Sequence, residues 1–279
     1  MASVPIEGRP GAGAPRTIFR HRLSTRLWHW FNALVIFVMI MSGLMIFNAH
    51  PRLYWGRYGA NLDHAWLEIG STPTQGLLRV GGLTIPTTGV LGRWTAPDGS
   101  VSTRAFPWWA TIPSGYSLSA ARRWHLAFAW ALVVPGLLYW LWSFANRHVQ
   151  RDLAPTREEL RPRHLWHDIK DHARLRFPTG DAATRYNILQ KLAYLGVLFV
   201  LLPLAVMTGF AMSPALDATW PWLLELFGGR QSARSIHFLC MAGFVAFIVV
   251  HLVMVVLAGP INEVRSMLTG RYRVPEDRP

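Results

Sequence analysis

The chain carries a single cysteine, Cys240, in 279 residues. One thiol makes no intrachain disulfide. There is no Cys-x-x-Cys-His for covalent haem and no cysteine cluster for iron–sulfur or structural zinc. Charge is scarce too: Asp, Glu, Lys and Arg make up 15% of the residues, against about a quarter in an ordinary soluble domain. Acidic groups are the rarer sign, 15 against 28 Lys plus Arg, for a formal net charge of +13. The shortage comes from long stretches without any charge, which is the composition of a membrane protein.

A basic excess also suits a nucleic-acid partner. Here the cations, nearly all Arg, lie outside the apolar runs, which favours anchoring and orientation in a bilayer. Many of the 14 Trp flank those runs, where an interfacial belt is expected. Residues 1–27 are rich in Gly, Pro and Arg and do not read as a cleaved signal peptide.

Crossing a hydrocarbon core takes about 20 residues. Four segments suffice: 28–47, 124–145, 189–212 and 236–258. The fold class expected is all-α, an integral membrane four-helix bundle. It would consist of a basic tail (1–27), a four-span domain (28–258) and a second tail (259–279). A loop at 48–123 joins the first two spans, and a segment at 146–188 joins the second and third. Pro135 and Pro203 lie mid-span, where kinks are tolerated. Arg is densest in the two tails and in 146–188. The positive-inside rule therefore puts both termini in the cytoplasm and makes 48–123 an outward loop.

The 48–123 loop is the least helical part, with Gly81-Gly82, several Pro and a turn-like Pro97-Asp98-Gly99. The run 89–102 reads as a short hairpin. A loop of this length is usually functional. In the 146–188 segment, Leu165, Trp166 and Ile169 suggest an amphipathic helix on the membrane surface.

Ionisable groups inside spans are expensive and are functional candidates by default. The clear cases are His29, His125, His237 and His251. His237 and His251 are 14 residues apart, which at about 100° per residue falls about 40° short of four turns. They therefore share a helix face, about 21 Å apart along the axis. His29 opens the first span at the depth of His251, and His125 opens the second at the depth of His237. The expectation is two b-type haems, an inner one between His29 and His251 and an outer one between His125 and His237. Bis-imidazole iron has no open position and suits electron transfer. Zinc is excluded by the separation, since pairs this far apart make no tetrahedral site.

Gly43 follows His29 by the same 14 residues, and Gly209 lies at similar depth in the third span. They occur as Met41-Ser42-Gly43 and Met207-Thr208-Gly209. A missing side chain would let a flat porphyrin approach the backbone, although small residues also serve helix packing. Arg122, Arg123 and Arg234 are candidates for haem propionates at the outer site. Arg22 and Arg26 are candidates at the inner site. The remaining histidines (21, 50, 64, 148, 164, 167, 172) read as solvated or interfacial.

These residues carry a family resemblance. Arg26-Leu27-Trp28-His29-Trp30-Phe31-Asn32-Ala33, Arg122-Arg123-Trp124-His125 and the run Gly228–His237 followed by His251 resemble bacterial di-haem cytochrome b subunits. The thiosulfate reductase subunit is most similar, beside the nickel-hydrogenase and formate dehydrogenase gamma types. The resemblance implies electron transfer between membrane quinone, near the inner haem, and a periplasmic oxidoreductase partner, often a molybdopterin enzyme. The long 48–123 loop departs from the formate dehydrogenase type; it would cap the outer haem or dock the partner. The alternative is a standalone quinone-linked superoxide oxidase, for which Arg122, Arg123, Arg230 and Arg234 would supply a positive mouth. A proton-relay transporter would need intramembrane carboxylates, which the spans lack.

Overall fold

The computed structural model describes residues 17–147, 154–174 and 188–274. Arg9, Arg16, His148, Arg151, Arg176, Arg185, Arg278 and the side chain of His172 lie outside the described residues. Within them the chain is mostly helical, and four helices are long and apolar enough to cross a membrane. They are α1 (Leu23–Phe47), α2 (Leu118–Ala145), a third span over Ile188–Ala211, and α8 (Arg230–Ala258). All four begin earlier than expected, three of them by five or six residues, because hydropathy fades at polar residues while helical backbone continues. In α2 the Ser117 hydroxyl caps the start by accepting from Ala120 N at 3.3 Å.

The third span is not one regular helix. It runs as α4 (Ile188–Gly196), a π-helical turn at Val197–Leu201 and α5 (Leu202–Ala211). Pro203 sits in the first turn of α5, where its missing N–H falls beside the π turn. Pro135 lies inside α2. Between spans lie α3 (Pro162–Ala173), α6 (Pro214–Thr219) and α7 (Pro221–Leu226), and α9 (Pro260–Thr269) follows α8. In α3, Trp166 and Ile169 are exposed.

An all-α fold is not what the described residues form. β1 (Thr17–Phe19) pairs antiparallel with β8 (Arg271–Arg273), tying two segments read as tails into a ladder. The 48–123 loop holds the antiparallel order β2-β3-β4-β5: Arg52–Leu53, Leu67–Ser71, Gly76–Val80 and Leu83–Pro86. Val80 pairs with Leu83, so Gly81-Gly82 is a two-residue hairpin turn. The hairpin expected within 89–102 is β6 (Trp94–Thr95) with β7 (Val101–Ser102), closed by Asp98 accepting from Ser100 N at 3.0 Å.

The chain divides into two units. One holds residues 1–30, 150–195 and 247–279, and the other holds 31–149 and 196–246. In the first, Arg20 meets Glu263 at 3.5 Å and lies over the Tyr272 ring. Lys191 meets Glu159 at 2.8 Å. In the second, Phe47, Leu53, Ile69 and Ala105 form a buried core with Trp66, Leu78, Phe106 and Phe238 packed against it. Phe238 belongs to α8, so the loop's core is built on that helix.

Candidate cofactor site

In the second unit, the loop is fastened to the first turns of α8. Gln231 N and Ser232 N, donors with no partner inside the helix, both donate to the Gly56 carbonyl at 3.1 Å. Ser232 Oγ accepts from Gly56 N at 2.7 Å. Trp66 Nε1 donates to Ser235 Oγ at 2.9 Å, and that hydroxyl donates to the Tyr54 carbonyl at 2.6 Å. The Arg57 guanidinium meets Glu225 at 2.5 Å. Near α1, Ile112 N donates to the Met41 carbonyl at 3.2 Å. These contacts bring the loop to within a turn of His237 on α8 and beside Ser42 on α1.

Here His125 of α2 and His237 of α8 face each other, ring centroids 6.2 Å apart. In the first unit His29 and His251 stand 6.3 Å apart. A metal binds imidazole nitrogen at about 2.0 Å, and each ring centre lies about 1.1 Å beyond it, so two trans imidazoles have centres about 6.2 Å apart. Both separations fit an iron between the rings. Among the described residues no three His, Cys, Asp or Glu side chains converge on a metal; the imidazoles stand in twos.

The proton position at the His125–His237 pair follows from its neighbours. His125 Nδ1 is 3.1 Å from the Met39 carbonyl and 3.1 Å from Ser42 Oγ. A carbonyl can only accept, so Nδ1 carries the proton. Ser42 donates its own hydroxyl proton to the Val38 carbonyl at 2.6 Å, leaving its oxygen free to accept. His237 repeats the pattern on α5. Its Nδ1–H reaches the Ala205 carbonyl and Thr208 Oγ1, both at 3.0 Å, while Thr208 donates to the Leu204 carbonyl at 2.7 Å. In both rings Nε2 keeps its lone pair, the form that ligates a metal.

Gly43 and Gly209, expected to admit a porphyrin, lie beside the imidazoles of His125 and His237. A Cβ on Gly43 would lie 3.3 Å from His125 Cε1, and one on Gly209 would lie 3.5 Å from His237 Cε1. Each clears the imidazole itself. A helix carbonyl is flanked by residues three and four positions later. At Met39 and Ala205 those are a hydroxyl that joins the hydrogen bond and a glycine that leaves the approach open. Sequence reading had noticed the repeated Met-Ser/Thr-Gly but assigned no role to Ser42, Thr208 or the two carbonyls.

At the other pair, His29 lies edge-on to Trp30, and Phe247 stacks on His251 at 6.0 Å and 11°. Trp30 Nε1 donates to the Met267 carbonyl at 3.3 Å, and Arg26 donates to the Leu268 carbonyl, seating α1 on α9. His29 Nδ1 and Arg26 Nε are buried and meet no acceptor among the described residues. Arg22, Arg122 and Arg123 are exposed. Arg234 gives hydrogen bonds to the His50 and Arg52 carbonyls and lies over Phe47, so it serves loop attachment. Burial, and then the Arg234 and Arg52 guanidiniums, hold the His50 imidazole, outside the spans, below its ordinary pKa.

The family model described as prokaryotic cytochrome b561 matches residues 20–270. The chain belongs to this family. As a member it is a multi-pass membrane protein that binds b-type haem and carries electrons. It is 25% identical over 232 residues to an Azospira oryzae protein named as a protein-methionine-sulfoxide reductase subunit, YedZ1, covering 83% of this chain and 87% of that one. A Cupriavidus necator protein named as a Ni/Fe-hydrogenase B-type cytochrome subunit is 24% identical over 285 residues, covering 97% and 93%. One of the same description from Azotobacter vinelandii is 26% identical over 176 residues, covering 59% and 73%. No solved structure matches the chain.

Proposed function

We propose that the chain is the di-haem electron-transfer subunit of a quinone-linked oxidoreductase. His29 with His251 and His125 with His237 would hold one haem iron each through their imidazoles. The observation carrying this reading is the spacing of the two ring pairs, 6.3 and 6.2 Å, which leaves room for one iron in each. When bound, the haems supply one-electron redox chemistry. The chain's own residues fix the rings: Met39, Ser42, Ala205 and Thr208 hold the Nδ1 protons of one pair, and Phe247 stacks on the other. Exposed Arg122 and Arg123 would meet propionates beside His125, and exposed Arg22 would do so beside His29; Arg26, already donating to the Leu268 carbonyl, would add only what its guanidinium has left. Quinone exchanges electrons at the His29–His251 end.

The folded 48–123 loop, seated on α8 beside His237, is the docking surface for a periplasmic oxidoreductase of the molybdopterin type. The names of the relatives, each a subunit of another oxidoreductase, support an oxidoreductase partner; the molybdopterin type and the periplasmic side rest on the sequence resemblance. A second reading, a standalone quinone-linked superoxide oxidase, is favoured by the exposure of Arg122 and Arg123 one turn or less before His125. Superoxide-dependent quinone reduction by the isolated chain would select it; stoichiometric co-purification of a molybdenum protein would select the first.

Reduced-minus-oxidised spectroscopy with haem quantitation tests the ligand assignment. Wild type should hold two b-type haems, and His125→Ala or His251→Ala should each hold about one. Retention of two haems in either variant removes that histidine as a ligand.

A further inference from the structure

The two histidine pairs differ in what meets Nδ1. His125 and His237 each share Nδ1–H between a backbone carbonyl and a hydroxyl oxygen, at 3.0 to 3.1 Å. Both hydroxyls are fixed as acceptors because their protons go to the carbonyl four residues earlier. His29 Nδ1 is buried and meets no acceptor among the described residues. His251 has ring contacts with Phe247 and His29 and an electrostatic interaction with Glu263, and no hydrogen bond from its ring nitrogens among the described residues.

We propose that Ser42 and Thr208 act as potential-setting residues, making the His125–His237 site the lower-potential of the two. The inference rests on the di-haem reading. An acceptor on Nδ1–H pushes electron density toward Nε2 and makes the imidazole a stronger donor to iron. A stronger donor favours the ferric state, and hydrogen bonding around the ligands is a principal lever on haem potential. Four acceptors act at one site and none among the described residues at the other.

Favourable transfer then runs from the His125–His237 site to the His29–His251 site. One electron moves: the first site is oxidised as the second is reduced, and the Nδ1 protons stay where they are. A partner at the 48–123 loop would accordingly act as electron donor, and quinone as acceptor.

Potentiometric titration of the detergent-solubilised holoprotein, followed at the reduced α band, tests the order. His125→Ala should lose the lower-potential component, and His251→Ala the higher. Thr208→Val and Ser42→Ala should raise the lower component and leave the higher in place. The double variant should change the ferric-to-ferrous ratio at a fixed potential roughly tenfold, about 59 mV for a one-electron couple. Thr208→Ser keeps the acceptor and should titrate as wild type. The opposite assignment in the histidine variants, or an unmoved lower component in a double variant that keeps both haems, would overturn the proposal. If the hydroxyl variants lose haem, the histidine variants decide alone. Absence of any b-type spectrum would instead defeat the di-haem reading beneath it.

Discussion

A side chain one carbon long distinguishes the two glycines beside the imidazoles. On Gly43 it would press on His125 Cε1 at 3.3 Å, a contact the ring must yield to, whereas on Gly209 it would rest at an ordinary 3.5 Å from His237. Gly43→Ala is therefore expected to lower haem content or shift the spectrum, with Gly209→Ala close to wild type; pyridine haemochrome assay of both decides. In the loop, Glu68 sits between Arg52 (2.8 Å) and Arg79 (3.1 Å). Burial alone would raise its carboxyl pKa. The two guanidiniums outweigh burial and hold it below the ordinary value. A depressed folded-state pKa means the stabilisation is complete above the unfolded carboxylate value, about 4.3. It is lost as pH falls through the lower folded value. Loop cleavage by an acid-tolerant protease should rise over that acid range in wild type, and Glu68→Gln should flatten the dependence. The four histidines were legible from spacing, because period and depth are properties of a helix. The acceptors at Met39 and Ala205 were not, because a carbonyl is present at every position and only the fold selects which is met.

Among elements, the attachment of the loop to α8 is the most demanding junction. Gly229 has φ +112°, and a Cβ there would lie 2.6 Å from Arg57 Cα. The close approach lets Gly56 cap the first turn of α8. Gly229→Ala meets both strain and a clash with main chain, and is expected to cost about 1–2 kcal/mol or more for the backbone conformation alone. The readout is faster proteolytic nicking within 48–123 in detergent, more so than for Gly228→Ala, which shares a positive φ (+73°) but whose Cβ would meet nothing closer than 3.8 Å, so that the difference reads the clash. The four spans were legible to a few residues from hydropathy. The sheet was not, because β3 to β5 are short and their alternation is weak. The Gly81-Gly82 hairpin signal lies between two apolar runs and was read only as a break. The π turn left no sequence mark beyond Pro203.

At the scale of the whole molecule, four spans and the positive-inside rule applied to the distribution of Arg underlie the proposal that both termini are cytoplasmic. Alkaline phosphatase fused after Asp98 should be active and a fusion after Arg273 inactive, with the reverse for a fluorescent cytoplasmic reporter; the opposite pattern would invert the proposed orientation. The family was legible from the ordered histidine motifs, because they are short and their spacing is rigid. The partner was not, since the docking surface proposed here is a loop whose shape no periodicity encodes. The anchors beneath His125 and His237 also have a consequence for how this protein can vary. They are peptide oxygens, so no amino-acid exchange at Met39 or Ala205 deletes them. Only backbone surgery, such as an ester in place of an amide, or local melting of those turns would do so. Drift at these two sites should therefore leave electron carriage intact, and mild detergents that fray the helices should alter colour before they release pigment.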